Sequence, residues 1–163
     1  MNVVVVSDTH MSKKQIEFPE RLVDELSSAD LIIHAGDWSI PEVYDELCNY
    51  APVYGVYGNV DGDDMKKIVP YKHVLEVKNH KIGIVHGHGE KKTTEKRALE
   101  AFKEDEVDII LFGHSHIPLL RYFKKQLLFN PGSATAKRKL PYYSFGILTF
   151  TDDLVEARHI FYK

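Results

Sequence analysis

The sequence predicts an α/β fold in which two sheets are covered by helices. Short β-branched runs alternate with one-faced helical segments as far as Tyr57. A hairpin with a polar turn then adds antiparallel pairing, which makes a mixed sheet. From Leu119 onward the chain is rich in strands.

The elements follow in order. Val3 to Val6 is a β-branched run too short for a typical helix and suited to a strand buried on both faces. Pro19 takes a plausible first helical position ahead of Leu22, Val23 and Leu26, which mark one helical face. Leu31 to His34 is the second strand. Ser39 and Glu42 have capping-box spacing, which places a helix over Ile40 to Asn49, ended by Pro52. Pro52 to Tyr57 begins the third strand, and this β-α-β-α-β rhythm calls for parallel strands with crossover helices. Asp61 to Pro70, rich in Asp, Gly and Lys, is expected to be a loop. Val74 to Val77 and Ile82 to Val85 form a hairpin around residues 78–81. Glu95 to Glu104 has a single apolar face, and Asp108 to Phe112 is another buried strand. Leu119 to Phe123, Leu127 to Phe129, Tyr142 to Phe150 and Leu154 to Phe161 complete the strands.

At roughly 100–200 residues per domain, residues 1–163 are expected to form one domain. Lys plus Arg number 21 against 24 Asp plus Glu, and a formal charge of −3 supplies no broad cationic face for polymeric nucleic acid. No apolar run approaches the ~20 residues of a membrane span. Cys48 is the only cysteine, so no intramolecular disulfide forms. The first residues lack the basic flank and apolar length of a signal peptide, and the cytoplasm is the expected compartment.

Five polar clusters follow directly on predicted strands: Asp8-Thr9-His10, Gly36-Asp37, Gly58-Asn59, His86-Gly87-His88 and Gly113-His114-Ser115-His116. In open α/β sheets the carboxyl ends of parallel strands meet at one edge, so residues distant in sequence converge there. Carboxylate, imidazole and amide oxygen suit Mn²⁺, Fe²⁺, Zn²⁺, Ni²⁺ or Co²⁺, whereas the missing cysteine pairs argue against thiolate sites. Asp8 and His10, like His114 and His116, are two apart, so in extended segments each pair projects from one face and grips one small site. The donors exceed what one tetrahedral ion needs, which favours two ions about 3.5–4 Å apart, with Asp37 bridging through its two oxygens.

The ordered pattern Asp8-X-His10, Gly36-Asp37, Gly58-Asn59, a later histidine and Gly113-His114-X-His116 resembles the calcineurin-like metallophosphoesterases. The similarity is to their small single-domain phosphodiesterase branch, and it runs from residue 3 to about residue 135, including Asn130-Pro131-Gly132-Ser133. It implies a four-layer α/β sandwich of two mixed β-sheets flanked by helices, with two divalent metals, Mn²⁺ first among them. Carried over, Asp8, His10, Asp37 and His116 hold one ion, and Asp37, Asn59, His86 and His114 the other. His88 lies just outside, as a second layer or a substrate contact. Many phosphomonoesterases of the family have Gly-Asn-His-Glu where this chain has Gly58-Asn59-Val60-Asp61, and Val60 cannot donate a proton. The resemblance therefore implies a phosphodiesterase, or an enzyme with favourable leaving groups, more readily than a general phosphomonoesterase, and the choice of His88 or a metal-bound water as proton donor stays open.

The expected reaction is hydrolysis of a small phosphodiester by a hydroxide bridging the two metals. Two ions, two carboxylates and that hydroxide leave roughly +1 in the pocket, which attracts a phosphodiester despite the acidic chain. Two readings compete with it. One is a non-enzymatic interaction scaffold, a use to which a retromer subunit puts this architecture. The other is a phosphomonoesterase with a substitute proton donor. The oligomeric state, a homo-oligomer included, stays open. His34 is expected to be a hydrogen-bonded core histidine, and His73, His80 and His159 turn or surface residues. The Lys91-Lys92 and Lys137-Arg138-Lys139 runs are read as solvated loop charge.

Overall fold

Two five-stranded sheets face each other across an apolar layer in the computed structural model, which describes residues 1–152 and 154–163. Along the chain run β1 (Asn2–Val6), α1 (Glu20–Leu26), β2 (Leu31–His34), α2 (Pro41–Cys48), β3 (Val53–Gly55), α3 (Asp63–Ile68), β4 (Lys72–Val77), β5 (His80–Val85), α4 (Thr94–Ala101), β6 (Ile109–Leu111), β7 (Leu119–Phe123), β8 (Gln126–Asn130), β9 (Tyr143–Phe150) and β10 (Val155–Tyr162). The first sheet has the order β10-β9-β1-β2-β3 and the second β4-β5-β6-β8-β7. Both are mixed. β1, β2 and β3 run parallel, as do β5, β6 and β8, while β9, β10, β4 and β7 pair antiparallel.

The four valines of β1 divide between two cores because successive side chains point to opposite faces. Val3 and Val5, with Leu31 and Ile33, meet Ile84, Leu111, Phe129 and Leu148 between the sheets. Val4, Val6 and Ile32 turn the other way, onto Leu22 and Leu26 of α1 and Val43 and Leu47 of α2. On the far side, α4 lays Ala98 against Val85, Ile110 and Leu128, with Phe102 beside it. The order of layers is helices, sheet, sheet, helix. Each fully buried aliphatic side chain contributes about 1.5–3 kcal/mol, so the central valines anchor two interfaces at once.

Several local expectations are corrected. Pro19 is the N-cap of α1, so the helix begins one residue later than the sequence suggests. The capping box of α2 does not form. Ile40 is the N-cap and Pro41 opens the helix, while the Ser39 amide donates to Asp61 Oδ1 at 2.8 Å and Glu42 pairs with Lys13 at 2.6 Å. The segment expected to be a loop contains α3, a six-residue helix that buries only Met65. β3 stops at Gly55, although the Val56 amide still bonds His34 O at 3.1 Å. The β4–β5 turn tightens to Lys78-Asn79, with Lys78 at φ 54°.

His73 lies in β4, His80 opens β5, and His159 lies in β10, so none sits in a turn. The His159 ring stacks on Phe129 with centroids 4.5 Å apart, and its Nε2 approaches Asn130 O at 2.7 Å. His34 is the core histidine the sequence suggests. Its Nδ1 accepts from the Gly36 amide at 3.1 Å, which leaves Nε2–H for Thr9 Oγ1, also at 3.1 Å. Among the described residues no helix is long and apolar enough to cross a membrane.

Candidate metal centre

The candidate residues converge where strands of both sheets end. Asp8 and His10 follow β1, Asp37 follows β2 and Asn59 follows β3 on the first sheet; His86 and His88 follow β5 and His114 and His116 follow β6 on the second. They are not in extended segments. Asp8, His10, Asp37, His114 and His116 all have positive φ, between 46° and 66°. Left-handed backbone costs non-glycine residues roughly 1–2 kcal/mol each, and it gathers at functional sites where the surroundings impose it. Tight turns, rather than same-face projection from extended segments, therefore bring these donors together.

The turns sort the side chains into two groups. Asp8, His10 and His116 bring candidate ligand atoms together, and so do Asp37, His86 and His114. The pair Asp8/His10 stays within one group, but His114 and His116 are divided between the two, unlike the expectation that each pair serves one site. Asn59 joins the second group, its Oδ1 lying 2.9 Å from His114 Nδ1.

Metal–ligand bonds of about 2.1 Å place neighbouring donors about 3.0 Å apart around an octahedron and about 3.4 Å apart around a tetrahedron. The donors are spaced accordingly. His116 Nε2 lies 3.3 Å from both Asp8 Oδ1 and His10 Nε2, while Asp37 Oδ2 is 3.5 Å from His10 Nε2 and 3.2 Å from His86 Nε2. Asp8 Oδ1 and His86 Nε2, one in each donor group, are buried with no hydrogen-bond partner, a costly arrangement that a cation in each group would relieve. These residues fit a pair of metal ions.

Each aspartate has one oxygen tied to the protein and one presented to the cluster. Asp8 Oδ2 accepts from Ser7 Oγ at 2.7 Å and from the His114 amide at 3.0 Å, leaving Oδ1 to face the histidines. Asp37 Oδ1 accepts from the Val60 amide at 3.1 Å, so Oδ2 alone faces both donor groups. One oxygen thus reaches both groups while the other is also engaged by a backbone amide. The close approaches require glycine: a Cβ on Gly58 would meet Asp37 Oδ1 at 2.1 Å, and one on Gly113 would meet Asp8 Oδ2 at 2.8 Å.

The histidines are oriented from behind. His86 Nδ1 lies 2.7 Å from Ala35 O, and His116 Nδ1 contacts Ala136 O, so both Nδ1 atoms donate and both Nε2 atoms turn their lone pairs into the cluster. Burial opposes ionisation of Asp37, but His86 and the Val60 amide outweigh it and hold the carboxyl at about 2. Asp8 is likewise lowered against its burial, by His10, His86 and His116. Burial lowers His116, and His114 to about 4, whereas His86 is raised despite burial because Asp37 and Asp8 face it.

The Asn130-Pro131-Gly132-Ser133 segment borders the site. Asn130 Nδ2 donates to Gly113 O at 2.9 Å, and Ser133 Oγ donates to Asp8 O and accepts from the Ala136 amide, both at 2.8 Å. His88 stands at the edge, its ring 5.5 Å from those of His86 and Tyr71 and 6.4 Å from that of His114. Ser133 lies in the segment that the resemblance already includes, whereas Ser7 and Asp61 are supporting groups to which a reading of the sequence assigns no role. A single hydroxyl carries no spacing signal, and Asp61 enters only as part of the Gly58–Asp61 motif.

Comparisons with known proteins bear on the family and the fold. The model of the calcineurin-like phosphoesterase superfamily domain matches residues 1–153. A probable metallophosphoesterase of Methanocaldococcus jannaschii is 38% identical over 161 residues, 98% of this chain and 81% of that protein. A phosphodiesterase of the same organism is 27% identical over 145 residues, covering 81% and 83%. Among solved structures, a novel archaeal phosphodiesterase matches with a TM-score of 0.78 at 24% identity, covering 99% of this chain and 100% of that one. Wild-type Vps29 complexed with Zn²⁺ from Entamoeba histolytica matches with a TM-score of 0.76 at 24% identity, covering 99% of each chain. Those two likenesses concern the fold. With two mixed sheets between helices, paired donor groups at one rim and a family model that covers nearly its whole length, this chain belongs to the calcineurin-like phosphoesterase superfamily.

Proposed function

We propose that residues 1–163 form one metallophosphoesterase unit that hydrolyses a small phosphodiester with two divalent ions, Mn²⁺ first among Mn²⁺, Fe²⁺, Zn²⁺, Ni²⁺ and Co²⁺. Asp8, His10, Asp37 and His116 hold one ion, and Asp37, Asn59, His86 and His114 the other. The observation that carries this reading is the position of Asp37 Oδ2, between His10 Nε2 at 3.5 Å and His86 Nε2 at 3.2 Å. When bound, such ions supply positive charge for the phosphoryl oxygens and lower the pKa of a coordinated water from 15.7 to about 7.

The chain's own residues determine the rest. Asp8 and Asp37 keep their carboxylates ionised and aimed by single oxygens, and the backbone acceptors of Ala35 and Ala136 fix the imidazole tautomers. Val60 is 45% exposed beside Asn59 and offers no acid to a leaving group. His88 is held neutral, lowered first by burial and then by His86, so it suits an N–H bond to a substrate oxygen better than proton donation as imidazolium. Phosphodiesters whose alcohol is acidic enough to leave without full protonation are the class that fits.

The test is hydrolysis of bis-p-nitrophenyl phosphate with Mn²⁺, after chelation, and by Asp37→Ala and His114→Ala. Metal-dependent turnover, lost after chelation and in both folded variants, is expected. One background rate for every protein would favour the interaction scaffold. Faster turnover of p-nitrophenyl phosphate than of the diester would favour the phosphomonoesterase.

A further inference from the structure

Asp61 is a buried acid, 4% exposed, in the loop that leads into α3. Its Oδ2 accepts from the amides of Asp37 at 3.0 Å and Gly58 at 2.7 Å, and its Oδ1 accepts from the amide of Ser39 at 2.8 Å. One carboxylate thus collects three backbone donors from two loops, one leaving β2 and the other leaving β3. Asp37 and Ser39 both have left-handed backbone, with φ of 60° and 77°, which turns their amides to the same side. The loop returns the contact through the Val60 amide, which donates to Asp37 Oδ1 at 3.1 Å. Residue 37 is therefore held twice by residues 58–61, once at its amide and once at its side chain.

We propose that Asp61 is a positioning residue whose carboxylate sets the spacing of Asp37 and Asn59, and with it the ion affinity of the Asp37, Asn59, His86 and His114 group. This rests on the ligand assignment of the proposed function. Three N–H donors need an acceptor with several free lone pairs and no hydrogen of its own, which a carboxylate provides. An amide in its place offers one oxygen and turns an NH₂ toward a backbone N–H. The other donor group shares Asp37 but not Asn59, and its remaining members are held elsewhere, Asp8 by Ser7 and the His114 amide and His116 by Ala136.

The experiment is Mn²⁺ titration by calorimetry of the full chain and of Asp61→Asn, with circular dichroism confirming the fold. The ion held with Asn59 is expected to bind about 10–100-fold more weakly in the variant, the usual effect of removing a supporting hydrogen bond, while the other, which shares only Asp37, weakens by a clearly smaller factor. Turnover should return as Mn²⁺ is raised. Unchanged affinity for both ions, or equal weakening of both, would overturn the proposal. A second measurement serves if Asp61→Asn does not fold: in the metal-free wild type, the amides of Asp37, Ser39 and Gly58 should exchange with deuterium at least about 100-fold more slowly than unstructured amides. Fast exchange there overturns it as well. Because the comparison is read from ion binding, a wild type that binds two ions without hydrolysing diesters counts against the phosphodiesterase alone. A wild type that binds fewer than two ions counts against both.

Discussion

The amide of Val60 donates to Oδ1 of Asp37 at 3.1 Å, and this bond leaves Oδ2 as the oxygen that faces His10 and His86. The contact depends on Gly58, where a Cβ would meet Asp37 Oδ1 at 2.1 Å and the Asp37 amide nitrogen at 2.7 Å. Backbone and a buried carboxylate cannot both move aside. Gly58→Ala is expected to weaken binding of at least one Mn²⁺ by about 10-fold or more. Calorimetric titration of the folded variant checks this, and wild-type affinity for both ions would contradict it.

Loading the cluster should release a proton. In the metal-free chain burial disfavours His86 imidazolium, yet Asp37 and Asp8 raise its pKa above the ordinary value, while His114 sits at about 4 and His116 is lowered. Near neutral pH, His86 is therefore the imidazole that gives up a proton when an ion takes its Nε2. Calorimetry in buffers of different ionisation enthalpy is expected to show net proton release on loading, with affinity falling as the pH is lowered through the neutral-to-acid window in which His86 holds its proton. Constant affinity across that window would refute it.

Ser133 joins two loops of the site by accepting from the Ala136 amide and donating to Asp8 O. Ser133→Ala leaves the buried Asp8 carbonyl without this donor and the half-buried Ala136 amide without its acceptor, at a cost of about 1–3 kcal/mol for the buried group. Because Ala136 O orients His116, ion affinity should also fall, by about 10–100-fold. Urea denaturation of the metal-free protein and Mn²⁺ titration measure the two effects separately.

The metal-free fold should lose stability in mild acid through His34. Burial lowers this imidazole to about 3 in the folded chain, whereas the unfolded chain takes up the proton at about 6.5. The neutral form's contribution is complete above about pH 6.5 and is lost as pH falls toward 3, by up to about 1.4 kcal/mol per pH unit. His34→Asn should make that slope shallower by the share of one proton, leaving the part that His114 and His116 contribute, whatever its effect at neutrality. Trp38, the only tryptophan, stacks on His34 at 3.6 Å and supplies a fluorescence signal for the denaturation curves.

The strands were legible because buried β-branched runs such as Val3 to Val6 have no other use, and the site was legible because its polar clusters each follow a strand. α3 was hidden: six residues with one buried side chain, Met65, and no side-chain cap leave no periodicity to see. Ser39 and Glu42 have the spacing of a capping box, but Asp61 and Lys13 take their partners, a competition decided by contacts distant in sequence. His159 looked like a surface residue because its neighbours in β10 alternate with exposed ones, yet Phe129 from the opposite sheet supplies a stacking partner. The left-handed turns at Asp8, His10, Asp37, His114 and His116 are written in no spacing rule, since residues other than glycine enter that region only when the surroundings compel them.

The apolar layer that joins Val3, Val5 and Ile33 to Ile84, Leu111 and Phe129 contains none of the rim's donors. Shape and chemistry are thus encoded by different positions along the same strands, one inside the slab and one past its end. A descendant could exchange Asp8, His86 or His116 for inert side chains and inherit the architecture intact, free to be recruited for its outer faces alone. The division of labour lets a lineage abandon catalysis without first having to invent a new way to fold.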